Sequence, residues 1–162
     1  MSRSQRAVSG PGSSRGASGE LPLPLAVRRG GRQGWATAVA AGGVLGAITL
    51  MVPALLSRQA GFGFLAILLG AIAAVYLGFA LQDGRRSAFR TEYIGMALFL
   101  TLATAALARD SAWLLAAGYL GHGLWDAIHH RRAIDTAMPW WYVPLCLGYD
   151  SVVAAYILLR YL

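Results

Sequence analysis

After a polar opening stretch, apolar runs alternate with short polar breaks along the chain: Trp35–Leu56, Phe62–Leu81, Tyr93–Ala108, Ala112–Ile128 and Trp140–Leu159. A helix needs about 20 apolar residues to cross the hydrocarbon of a bilayer. The runs approach that length once the residues at their polar edges are counted. The pattern therefore predicts five transmembrane helices over roughly 35–56, 62–81, 92–108, 111–130 and 140–160. The expected fold class is all-α, an integral membrane helical bundle occupying residues 34–162. Short connections make consecutive helices antiparallel neighbours. Pro53 lies near the end of the first run, and Pro139 and Pro144 near the start of the last, where few internal hydrogen bonds are lost; Pro144 marks an expected kink. Small residues recur every four positions at Ala38, Gly42 and Gly46, and again at Gly70, Ala74 and Gly78, a spacing that lets helices approach closely.

Residues 1–33 have another character. They are rich in Ser, Gly, Pro and Arg, hold Glu20 as their one acid, and lack helical periodicity, so a disordered basic tail is expected. The composition also suits an organelle transit peptide, and the apolar run behind it is too long for a secretory signal.

Composition narrows the class further. A chain of 162 residues that is 57% hydrophobic and 13% charged is too apolar for an ordinary soluble domain, and a bilayer is its natural solvent. The net charge of +7 comes from arginine alone, since the chain holds no lysine. With the N-terminus inside, segments 1–34, 82–91 and 129–139 carry the arginines except Arg58, Arg109 and Arg160. The positive-inside rule then places the N-terminus in the cytoplasm and the C-terminus outside. Trp35 and the Trp140–Trp141–Tyr142 cluster fall at the inner interface, where aromatic belts occur. The basic tail would meet anionic lipid headgroups. No nucleic-acid partner is expected, because the arginines form no stripe interleaved with aromatics. Cys146 stands alone, which rules out an intramolecular disulfide and a cysteine-based metal motif.

Polar chemistry concentrates in Gly118–Arg132, which holds all 3 histidines of the chain together with Asp126. At about 100° per residue, Asp126 lies about 40° from His122, and His129 lies about 20° to the other side of His122. His130 sits about 80° from His122, at the edge of that face, where an interfacial basic cluster with Arg131 and Arg132 needs no ligand. Counting at about 1.5 Å per residue from the loop at 131–139 puts His122 and Asp150 of the last run at a common depth of roughly 15 Å. Asp126 would then lie nearer Cys146. A chamber open to the cytoplasm is the implied shape, lined by His122, Asp126, His129 and Asp150, with Glu92, Tyr149, Asp83 and His130 as outer partners. An ionised Asp at mid-membrane costs roughly 2.5–3.5 kcal/mol, so Asp126 and Asp150 must be neutral, paired or metal-bound.

An internal echo adds to this. Residues 73–83 read AAVYLGFALQD and residues 116–126 read AAGYLGHGLWD. The match admits a parallel repeat of two helical hairpins, with Asp83 at the depth of Asp126 and Phe79 in the place of His122.

Imidazole and carboxylate donors suit a single Zn, Fe or Cu ion, and three protein ligands plus water are the arrangement of a catalytic zinc. Haem is disfavoured, since its second axial ligand would have to come from another group or subunit. A His/Asp proton relay needs no metal. Asp126-x-x-His129-His130 resembles the histidine box of membrane desaturases with Asp for the first His, although this chain has too few histidines for their di-iron centre. Transmembrane zinc hydrolases of the ceramidase type are a nearer analogue, on a seven-helix layout that is missing here. Trp125-Asp126-x-x-His129-His130 followed by Pro139-x-Trp141-Tyr142-x-x-x-Cys146-x-x-x-Asp150 resembles a family of small multi-pass bacterial membrane proteins of unknown function, over roughly residues 76–155. The resemblance implies a bacterial inner-membrane location and a signature near the inner leaflet, without an activity. The functional expectation is an intramembrane His/Asp site that binds a metal ion or relays protons. The alternative is a non-catalytic accessory subunit packed in a homo-oligomer or a larger membrane complex.

Overall fold

The computed structural model describes residues 31–130 and 136–162, without the side chain of His130. The expected tail up to residue 30 lies outside the described residues, as do Arg131 and Arg132. The elements are α1 (Arg32–Thr49), α2 (Met51–Leu55), α3 (Arg58–Asp83), α4 (Arg86–Ala108), α5 (Ala112–His130) and α6 (Tyr142–Tyr161), and no strand occurs among the described residues.

Local chemistry sets the boundaries. α1 begins at Arg32, two residues inside the stretch assigned to the tail. Pro53 has no N–H for the Thr49 carbonyl, and the helix breaks at Leu50 before resuming as α2. The Ser57 hydroxyl caps α3 by accepting from the Ala60 N–H, and Gly84 closes α3 in the left-handed conformation with φ 76°. α4 starts at Arg86, well before the apolar run predicted from 92. Arginine is a good helix former, so the charges end the apolar run without ending the helix. Asp110 makes the turn into α5 with φ 45°, a conformation that Asp tolerates better than most residues.

The helices are arranged in the order α1, α6, α5, α4, α3, with α5 also touching α3. Gly42 lies against Leu145 and Gly46 against Tyr149, so the first and last helices run parallel. A Cβ at Gly42 would fall on the Leu145 carbonyl oxygen, and one at Gly148 on the Val39 carbonyl oxygen. Only glycine permits this backbone-to-backbone approach. The small-residue stripe Ala38–Gly42–Gly46 is thus the buried face of α1. The second stripe is different: Gly70 is buried against Leu100, but Ala74 and Gly78 face outward.

Among the described residues, four helical stretches are long and apolar enough to cross a membrane: Arg32–Leu55, Arg58–Asp83, Arg86–Ala108 and Tyr142–Tyr161. The sequence pattern predicts five. α5 has a comparable 19 residues, but His122, Asp126 and His129 reduce its apolar character. It sits among three other helices, which supply the partners those side chains need. Outward positions are apolar, with Leu55 86%, Ile67 73% and Leu159 88% exposed, a surface suited to lipid contact.

Candidate metal centre

Two buried polar clusters lie along α5, divided by one tyrosine. The first joins His122 and Asp126, one turn apart on α5, to Asp150 of α6. None is more than 1% exposed. His122 Nδ1 lies 2.8 Å from Asp150 Oδ2 and 3.8 Å from Asp126 Oδ2. A carboxylate at Asp150 takes a hydrogen bond from Nδ1–H of a neutral ring. The Tyr76 hydroxyl of α3 donates to Asp126 Oδ1.

What these bonds leave over is the informative part. His122 Nε2, Asp126 Oδ2 and Asp150 Oδ1 are buried without a hydrogen-bond partner. An unsatisfied buried polar atom costs about 1–3 kcal/mol, and here three occur in one group. One donor atom from each residue can be chosen so that all lie within 4.8 Å of one another. Ligands about 2.1 Å from a common ion sit roughly 3–4 Å apart, so small side-chain rotations would close the set around a cation. The charges agree, because two carboxylates and a neutral imidazole balance a divalent ion.

The second cluster centres on Glu92 of α4, which has no exposed surface. Its Oε1 accepts from Thr136 Oγ1 at 2.6 Å and lies 2.7 Å from His129 Nε2, while Oε2 accepts from Trp125 Nε1 at 3.2 Å. His129 Nδ1 donates to the Trp125 carbonyl at 2.9 Å. Both ring nitrogens of His129 are therefore occupied, and no lone pair is left for a metal. Glycines keep the helices close enough for these contacts: a Cβ at Gly95 would meet the Trp125 ring at 2.8 Å.

A family model matches residues 37–161, which takes in every residue of both clusters. The chain belongs to DUF6010, a family of unknown function. No curated protein and no solved structure matches the chain.

In this DUF6010 chain the expected site divides. His122, Asp126 and Asp150 come together, and the depth count that set His122 level with Asp150 agrees with their bond. His129 shares their helix face but turns to Glu92. Tyr149 lies in the apolar core and its backbone packs on Gly46 of α1. Asp83 is not at the depth of Asp126. It accepts from the Ala137 N–H at 2.9 Å and pairs with Arg85 at 2.6 Å, while Asp126 is level with Tyr76, seven residues earlier in α3. That offset is about 10 Å along the helix. The site is also enclosed, where an open chamber is expected from the sequence, because aromatic rings of Tyr76 and Phe99 pack edge-on against His122. The side chain of His130 lies outside the described residues. Three participants are missed by sequence reasoning, Tyr76, Trp125 and Thr136. A tyrosine hydroxyl in mid-span needs an acceptor, and that is the signal that points to Tyr76.

Proposed function

We infer that this DUF6010 protein is a polytopic membrane protein holding a divalent metal ion within the bilayer, on His122, Asp126 and Asp150. The observation that carries this reading is that one ligand atom from each of these three buried residues lies within 4.8 Å of the others, with an oxygen of each carboxylate left without a hydrogen-bond partner. The set is one nitrogen and two carboxylate oxygens without thiolate, which suits zinc or another first-row divalent ion such as iron or the harder manganese. His122 would bind through Nδ1, the ring nitrogen that lies 2.8 Å from Asp150 Oδ2 and 3.8 Å from Asp126 Oδ2, with its proton carried on Nε2. An ion here would neutralise both carboxylates and remove the cost of burying them.

In this reading α5 is a fifth crossing, with its polar face turned to α3, α4 and α6 and Trp113, Leu120 and Leu124 facing outward. The arginine distribution supports a cytoplasmic N-terminus and an outside C-terminus, with anionic headgroups around the inner arginines. The outward apolar faces accommodate lipid, a second copy or a larger complex equally well.

Metal analysis of the detergent-purified protein tests the proposal, after exposure to zinc, manganese and iron(II). Near-stoichiometric metal in the wild type, lost in Asp126→Asn and Asp150→Asn and in His122→Ala, is expected. A folded wild type that retains none of the three ions would sink the metal reading. The His/Asp group would then be left to hold protons or to fix α5 against α6.

A further inference from the structure

Tyr76 approaches the cluster from α3, a helix that supplies none of the three donors. It is 1% exposed, so its hydroxyl must be satisfied inside the protein, and it donates to Asp126 Oδ1. The other oxygen of the same carboxylate, Oδ2, is the one left without a partner. The tyrosine ring stands edge-on to His122, with centroids 5.6 Å apart, and tilted against His129 at 4.9 Å. It is held in turn by Tyr142 at 5.6 Å. One side chain thus orients the Asp126 carboxylate and also stands between the two histidines.

We propose that Tyr76 is a positioning residue of the His122–Asp126–Asp150 site, holding Asp126 Oδ1 so that Oδ2 is presented to the ion. The inference rests on the metal reading given above and adds a third helix to the site. Its physical basis is the freedom of a carboxylate. Without the hydroxyl bond, Asp126 can rotate, bind through either oxygen or turn away, and each alternative weakens a fixed coordination geometry. Partners that orient metal ligands typically contribute 10–100-fold to affinity. Tyr119 is a natural control. It occupies the echo position on α5, is equally buried, and gives its hydroxyl to the Leu65 carbonyl at 2.8 Å.

The test is a Co²⁺ titration of the full-length protein in detergent, read by the visible bands of the bound ion and by competition with Zn²⁺. Tyr76→Phe keeps the ring and should weaken binding by about 10–100-fold with altered Co²⁺ bands. Tyr119→Phe should leave affinity and bands unchanged. A second measurement needs no variant: the near-ultraviolet tyrosine absorption of the wild type should shift as the ion saturates the site, because the charge that Tyr76 faces changes. Wild-type affinity and wild-type bands in Tyr76→Phe would overturn the role of Tyr76 while the metal site stands. A wild type that saturates without any tyrosine shift would do the same. A wild type that binds neither ion would remove both readings together.

Discussion

Glu92 offers the sharpest test of the division between the two clusters. Replacing it by leucine removes the acceptor for His129, Thr136 and Trp125 at once, and leaves an imidazole in a closed interior. Breaking a buried charged pair from one side costs about 3–5 kcal/mol, and most of that reflects the stranded partner. Glu92→Gln keeps one acceptor oxygen and should lose less, about 1–3 kcal/mol. Because the loss in Glu92→Leu arises from stranded donors, adding His129→Leu should recover part of it, a coupling of about 0.5–3 kcal/mol. The assay is reversible unfolding in mixed micelles, followed by tryptophan fluorescence, since Trp125 is part of the clasp that Glu92 forms with His129 and Thr136. Metal affinity measured on Glu92→Gln should remain near that of the wild type, because neither Glu92 nor His129 offers a free donor to the ion. Glu92→Leu within about 0.5 kcal/mol of the wild type would refute the clasp. Loss of metal in Glu92→Gln, with the fold intact, would return His129 to the metal site.

Two further outcomes follow from the geometry. On the metal reading, ion and protons compete for the same lone pairs on His122, Asp126 and Asp150, so Zn²⁺ affinity should rise with pH and fall on acidification, with protons released on binding; calorimetry in buffers of different ionisation enthalpy measures the number. Gly42→Ala or Gly148→Ala places a methyl group on a facing carbonyl oxygen and should destabilise the bundle by about 1–3 kcal/mol or more, whereas Gly78→Ala, in open space, should be near neutral in the same unfolding assay.

Periodicity and length made the helical architecture readable before any coordinates, because apolar runs of spanning length have few other uses. The His122–Asp150 pairing was also readable, since two antiparallel helices sharing a short loop can be counted back to a common depth. His129 shows where that logic stops. A helix wheel reports direction about one axis and cannot say which neighbour waits there, so the wheel groups His129 with His122 although Glu92 of α4 holds it. Tyr76 was visible as half of the echo, yet its acceptor lies 50 residues away in α5. The echo itself misled on Asp83. Similar sequence does not set α3 and α5 at equal height, and Asp83 is drawn instead to the backbone of Ala137.

The glycine-to-backbone seam between α1 and α6 has a consequence for biogenesis. It joins residues near 42 to residues near 148, so α1 finds this partner only once α6 has been synthesised. Contacts so distant in sequence form late, after the intervening chain has been arranged. Until then Asp126 and His122 lack Asp150, and the glycine face of α1 is uncovered. The nascent protein therefore passes through a stage in which its most polar residues are least protected. Truncation within α6 should leave a species that membrane quality control removes, even though the other long helices are complete.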